Sequence, residues 1–241
     1  MIEKQEDVNA QRGRYGNALQ AAVSGGHESI VELLLQNGAD VNAQGGEEEN
    51  ALQAAAHKGH EGIIKLLLRH GAEINSQGGF YGSVLQAASS EGHEGIFKLL
   101  LNHGADVNTE GGYYGTALEA AAYKGQDGIV KLLLQHKANI NTLGGFYGSA
   151  LHAASYKGHQ DIVKVLLQHG ANPNAHGGYH DSTVQAASSG GHKDIVKLLL
   201  NHGADIHAQG GYYGSAHQAA SAKGHKHVIE LLEQHGAKAH K

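Results

Sequence analysis

Between residues 149 and 170 the chain alternates between two kinds of apolar order. Ala150 to Ser155 is a run dominated by small residues, opened by the hydroxyl of Ser149 and broken by Gly158. Such a hydroxyl accepts a hydrogen bond from one of the orphan N–H groups at a helix start, so the run predicts a short capped helix. Beyond Gly158, Ile162, Val163, Leu166 and Leu167 fall three and four residues apart, which places them on one face of a second, amphipathic helix. That helix is expected to end at Gly170, since glycine takes the left-handed conformation without a Cβ penalty. The polar, glycine-rich stretch from Asn139 to Tyr147 predicts an extended finger with a tight turn.

This unit recurs. Leu19, Leu52, Leu85, Leu118, Leu151 and Val184 stand 33 residues apart, with His217 in the seventh place. The capping residues Asn17, Asn50, Ser83, Thr116, Ser149, Ser182 and Ser215 keep the same step, as does the helix-breaking glycine of each copy from Gly26 to Gly224. A fixed period of this length is the signature of a solenoid, in which each unit touches only its neighbours. The expected fold is all-α, with a partial repeat at 1–11 and seven repeats at 12–44, 45–77, 78–110, 111–143, 144–176, 177–209 and 210–241 forming one elongated domain.

The order of cap, Ala-Leu-x-Ala-Ala, Gly-His, Ile-Val-x-Leu-Leu-Leu and Gly-Ala-Asp-Val-Asn-Ala resembles the ankyrin repeat, from about Glu6 to Ala239. The family's Thr-Pro-Leu-His tetrad is altered here to Asn17-Ala-Leu-Gln20 or Ser83-Val-Leu-Gln86, and Ser149-Ala-Leu-His152 alone keeps the histidine. The phrase Gly-Gly-x-Tyr-Gly-x-Ala-Leu-Gln is similar to arrays at the C-terminal end of fungal NACHT-type signalling receptors. The resemblance implies a helix-turn-helix solenoid with projecting fingers, acting in protein recognition without catalysis as the partner-sensing array of a larger intracellular signalling protein. The competing reading is an engineered or consensus-derived scaffold with no natural partner. Phe97 and Lys137 break the framework and speak for natural drift.

Composition narrows the setting. The chain has no cysteine, so disulfides and thiolate metal sites are excluded and a reducing compartment is compatible. No apolar run approaches a membrane span, and the N-terminus lacks the apolar segment of a signal peptide. A cytoplasmic monomer is expected. The net charge of −5 divides into −8 over residues 1–110 and +3 over residues 111–241. No basic field is large enough to hold a phosphate backbone, so nucleic acid is not an expected partner.

Departures from the repeat mark special places. The chain begins in mid-repeat at Asp7-Val-Asn-Ala-Gln11, as expected of a trimmed longer array. The second finger carries Glu47 to Glu49, an acidic edge suited to a basic segment of a ligand. Lys137 holds the place of the glycine after the outer helix, Gln126 that of the inter-helix histidine, and His180-Asp181 that of Tyr-Gly. In the last repeat His217 and Glu233 replace leucines, which suits a terminal unit with no successor to cover it.

Twenty histidines invite a metal reading, but most fall in two columns with the period of the repeat. Stacked helices stand about 8–10 Å apart, whereas ligands of one zinc ion each reach it at about 2 Å. The columns are therefore expected to be structural, one after the inter-helix glycine and one at outer-helix ends, where imidazolium suits the helix dipole. No nucleophile–base set departs from the period, and no phosphate-cradling loop is present, so neither a catalytic residue nor a cofactor is expected. The aromatics carry the functional signal. Tyr15, Tyr81, Tyr114, Tyr147 and Tyr213 recur at one finger place, which predicts packing, whereas the place before it varies: Arg14, Glu47, Phe80, Tyr113, Phe146, Tyr179, Tyr212. Tyr123-Lys124 and Tyr156-Lys157 end two inner helices where other copies have Ser, His or Ala before the last residue. In the ankyrin architecture that end lines the concave groove. The expected partner surface is thus Phe80, Tyr113, Phe146, Tyr179, Tyr123 and Tyr156 with Lys124 and Lys157 at its edge. The tolerance of equivalent places for Ser24, Ser90, Ser189 and Ala222 predicts that truncating Tyr123 and Tyr156 leaves stability nearly unchanged.

Overall fold

The computed structural model describes residues 7–11, 13–46 and 50–237, so the acidic edge Glu47 to Glu49 lies outside the described residues. Two compact units are present, Met1–Gly112 and Tyr113–Lys241. The first holds three helix pairs: α1 (Ala18–Ser24) with α2 (Glu28–Gln36), α3 (Ala51–Lys58) with α4 (Glu61–Arg69), and α5 (Val84–Glu91) with α6 (Glu94–Asn102). The second holds four: α7 (Ala117–Lys124) with α8 (Asp127–Gln135), α9 (Ala150–Lys157) with α10 (Gln160–Gln168), α11 (Thr183–Gly190) with α12 (Lys193–Asn201), and α13 (Ala216–Lys223) with α14 (Lys226–Gln234). No strand is found among the described residues, only isolated bridges that close the fingers.

The predicted caps form. Asn17 Oδ1 accepts from the Gln20 N–H at 2.9 Å, and Ser182 Oγ from the Gln185 N–H at 3.2 Å, with the same contact at Asn50, Ser83, Thr116, Ser149 and Ser215. Within each unit the first helix of a pair packs on the first helix of the next, and among second helices α2 packs on α4, α8 on α10, α10 on α12 and α12 on α14. Small side chains permit that approach: Ala54, Ala87, Ala120, Ala153 and Ala186 are fully buried. Ile129, Val130 and Leu133 close the core between inner and outer helices in the second unit. Phe97 is wholly buried in the place that Val130 holds elsewhere.

The finger between pairs is a five-residue loop. In the second unit the Gly144 N–H donates to the Gly148 carbonyl at 2.9 Å and the Gly148 N–H returns to Gly144 at 3.2 Å. Fingers are tied to one another by an asparagine ladder. Asn141 Nδ2 donates to the Gly170 carbonyl at 3.1 Å while its Oδ1 accepts from the Asn172 N–H at 2.8 Å. Asn174 repeats both contacts on Gly203 and Asp205, and Asn9, Asn42 and Asn75 do so in the first unit.

The α1–α2 pair differs in one respect. Ile30 is 47% exposed, whereas its counterparts Ile63, Ile96, Ile129, Ile162 and Ile195 are at most 4% exposed. Ala18 and Ala21 are also open, because no helix pair among the described residues packs against that side. At the other end His217 and Glu233, the two residues that replace leucine, meet each other, with His217 Nε2 and Glu233 Oε1 3.3 Å apart.

Candidate functional site

Four successive fingers of the second unit are stitched by three main-chain bonds. The Phe146 N–H donates to the Tyr113 carbonyl at 2.9 Å, Tyr179 to Phe146 at 2.9 Å, and Tyr212 to Tyr179 at 3.0 Å. This register stacks the four side chains as a ladder. Ring centroids are 5.4 Å apart for Tyr113–Phe146, 5.1 Å for Phe146–Tyr179 and 4.8 Å for Tyr179–Tyr212, with planes within 20° of parallel. Offset stacks of this kind are favoured by the ring quadrupole and contribute about 0.5–1.5 kcal/mol per pair beyond burial. Phe146 and Tyr212 remain 41% and 70% exposed, and Tyr113 and Tyr179 are half-buried.

A second row lies beneath. Tyr114 and Tyr147 occupy the recurring finger place and are buried, each meeting the ladder ring before it edge-on. Tyr147 is held between Tyr123 at 4.5 Å and Tyr156 at 5.8 Å, both roughly parallel to it. Burial, then hydrogen bonding with Tyr113 and Tyr123, pushes the Tyr147 hydroxyl above the usual tyrosine range. His180 takes the same place one repeat on, against Tyr156 at 4.8 Å, and burial lowers it to about 4, so the ring is neutral near pH 7.

The predicted residues therefore divide. Tyr113, Phe146, Tyr179, Tyr123 and Tyr156 come together, with Lys157 Nζ 4.9 Å above the Tyr123 ring and Lys124 exposed beside it. Phe80 belongs to the first unit, where it is 48% exposed and meets Tyr81 edge-on at 5.2 Å. Tyr123 and Tyr156 are half-buried props for Tyr147 as well as surface, so their truncation removes stacking that the sequence reading did not count. Tyr212 holds the same finger place and ends the ladder, outside the surface that the sequence predicts.

The histidine columns support this face from behind. His159 Nε2 lies 3.0 Å from the Tyr123 carbonyl and His192 Nε2 2.9 Å from the Tyr156 carbonyl, each fixing the end of the preceding inner helix. The His192 ring also lies over Gly158, whose φ of +84° and closeness to that ring leave no room for a Cβ. The second column binds the last turn of its own helix, as His169 Nδ1 does with the Val165 carbonyl at 2.8 Å. In the fifth repeat, His152 stands 2.7 Å from Ser149 Oγ and 3.2 Å from the Asp181 carbonyl, and burial holds it near 4. The described residues hold no group of three or more metal-ligating side chains.

A model of the family described as ankyrin repeats (3 copies) matches residues 1–78, 77–144 and 152–241. The chain is an ankyrin-repeat protein. The human ASB11 ankyrin repeat domain superposes with a TM-score of 0.74 at 25% identity, over 93% of this chain and 100% of that one. The azaphilone pigments biosynthesis cluster protein L of Monascus ruber is 68% identical over 34 residues, which are 14% of this chain and 7% of that protein. The ankyrin solenoid fold follows, and ankyrin repeats are protein–protein interaction modules. No helix among the described residues is long and apolar enough to cross a membrane.

Proposed function

We propose that this ankyrin array recognises another protein or peptide through the finger tips and inner-helix ends of its second unit, without catalysis. The observation that carries the reading is the ladder Tyr113–Phe146–Tyr179–Tyr212. Its rings are ordered by stacking and by main-chain bonds yet keep large open surfaces. Rigid aromatic area of this kind loses little rotamer freedom on binding, which is why Tyr dominates recognition surfaces. Phe80 extends the same finger place in the first unit. The repeat boundaries at 111, 144, 177 and 210 put one ladder ring on each finger. Membership of a larger intracellular signalling protein is supported by the shared finger phrase Gly-Gly-x-Tyr-Gly, and the cysteine-free composition suits a reducing compartment.

A photoreactive amino acid placed at Phe146 or Tyr179, and separately at Lys131 or Gln168 on the outer helices, tests the reading in cell extract. One protein captured from the two finger positions and not from the outer helices is expected. Capture of the same partner from the outer helices alone overturns it.

A further inference from the structure

The inner-helix ends of the second unit read Tyr123-Lys124, Tyr156-Lys157, Ser189-Gly190 and Ala222-Lys223. The third of these is the exception, with two small residues where its predecessors place an aromatic ring and a lysine. The gap is a cleft of about 310 Å³ lined by Tyr156, Lys157, Ser189, Gly190, His192 and Lys223. Lys157 and Lys223 both line it, and no carboxylate does. Among the described residues Lys157 and Lys223 form no ion pair, whereas Lys164 and Lys197 on the outer helices are paired with Asp161 and Asp194. Both cleft lysines instead lie over rings, Lys157 at 4.9 Å from Tyr123 and Lys223 at 5.9 Å from Tyr213.

Each ammonium has three donors, of which a ring face uses at most one and, at Lys223, the Tyr213 hydroxyl one more, so at least one donor remains for an incoming anion. Ser189 also lines the cleft and is buried, with its hydroxyl in hydrogen-bonding reach of Tyr213. The Tyr213 hydroxyl reports the local field. Burial acts to raise it, yet the hydrogen bond and charge of Lys223 help to hold it below its ordinary value. His192 is held below its ordinary value by burial, which keeps it from adding charge, and its Nε2 is engaged with the Tyr156 carbonyl. The ladder rings Tyr179 and Tyr212 belong to the fingers of the same repeats, sixth and seventh, whose inner helices end at Gly190 and Lys223.

We infer that the cleft between Lys157 and Lys223 receives a carboxylate side chain of the partner, so that the segment recognised is acidic and carries an aromatic or apolar residue beside the acid. This rests on the proposed recognition face and specifies the chemistry of its ligand. Residues 111–241 carry a net charge of +3 while the whole chain carries −5, so an acidic segment is repelled elsewhere and directed here.

The test uses the whole chain and a fluorescein-labelled random copolymer of glutamate and tyrosine, read by anisotropy, with a lysine–tyrosine copolymer alongside. The wild-type chain is expected to bind the acidic copolymer. K157Q with K223Q should weaken that binding about tenfold or more, while K164Q with K197Q, which removes the same charge from the outer helices, should change it less than about twofold. The four lysines are solvent-facing, and circular dichroism checks that both double variants keep the fold. No binding of the acidic copolymer, preference for the cationic one, or equal loss in the two double variants overturns the inference. If a partner crosslinks at Phe146 and its affinity ignores K157Q with K223Q, the cleft assignment falls and the ladder reading stands. If the copolymer behaves as expected while partners crosslink to the outer helices, the cleft stands and the ladder reading falls.

Discussion

Lys137 offers a direct check on how the repeat tolerates a broken rule. Its φ is +61°, in the left-handed region, where the other outer helices are followed by Gly38, Gly71, Gly104, Gly170, Gly203 and Gly236 with φ between +81° and +91°. A Cβ built on any of those glycines meets nothing within 4 Å, so the cost at Lys137 is conformational and not a clash. That cost is about 1–2 kcal/mol for a residue with a Cβ. Glycine returns about 0.4–1 kcal/mol of it through the extra freedom of the unfolded chain. A lysine at a helix C-terminus recovers another fraction, about 0.3–1 kcal/mol, from the helix dipole. At the middle of these ranges Lys137→Gly should therefore stabilise by about 0.2 kcal/mol, raising the urea midpoint slightly at unchanged slope. Lys137→Gln, which keeps the Cβ and loses the charge, should lower the midpoint slightly. Gly170→Lys should reproduce the deficit at a site that now has none. A midpoint that falls in Lys137→Gly, or a neutral Gly170→Lys, would show that left-handed strain is not what separates these positions.

Three further outcomes follow from burial. Ile129→Ala should cost about 2–5 kcal/mol as a core truncation, and the same change at half-exposed Ile30 about 1 kcal/mol or less; equal costs in denaturant titrations would contradict the packing described. His152 is neutral when folded, at about 4, and titrates at about 6.5 when unfolded, so the unfolded state binds the extra proton between those values and stability falls as pH drops through that window. This share amounts to about 2 kcal/mol between pH 7 and pH 5, and His152→Gln, the residue type of most other repeats, should lose correspondingly less over that interval; an unaltered acid sensitivity would remove His152 as its source. Tyr123→Ala with Tyr156→Ala should lower stability by about 1–2 kcal/mol, since both rings stack on buried Tyr147, and a thermal midpoint equal to wild type would return them to the purely surface role first expected.

Much of the fold is legible because the sequence states it seven times. The caps from Asn17 to Ser215, the glycines after inner helices and the leucine faces each follow from local chemistry that period alone makes unmistakable. Lys137 and His180-Asp181 stand out for the same reason, and the structure gives Lys137 and Asp181 positive φ where glycine is usual. Pairings across repeats were less legible. The asparagine ladder was present as a 33-residue spacing of Asn9, Asn42 and Asn75, but only geometry shows each amide reaching the next finger. His217 and Glu233 were each readable as polar end-residues, yet their contact joins two helices of one repeat. The cleft at Ser189-Gly190 was hidden because it is made of what is missing, small residues in a column that elsewhere carries Tyr-Lys.

The central claim is that the ladder face of the second unit meets the partner. Amide hydrogen exchange, with and without the partner captured at Phe146, measures this directly. The account predicts that segments 144–148 and 177–181 exchange more slowly in the complex, while α8, α10 and α12 are unchanged. Slowing confined to those outer helices, with the finger segments unaffected, would contradict it.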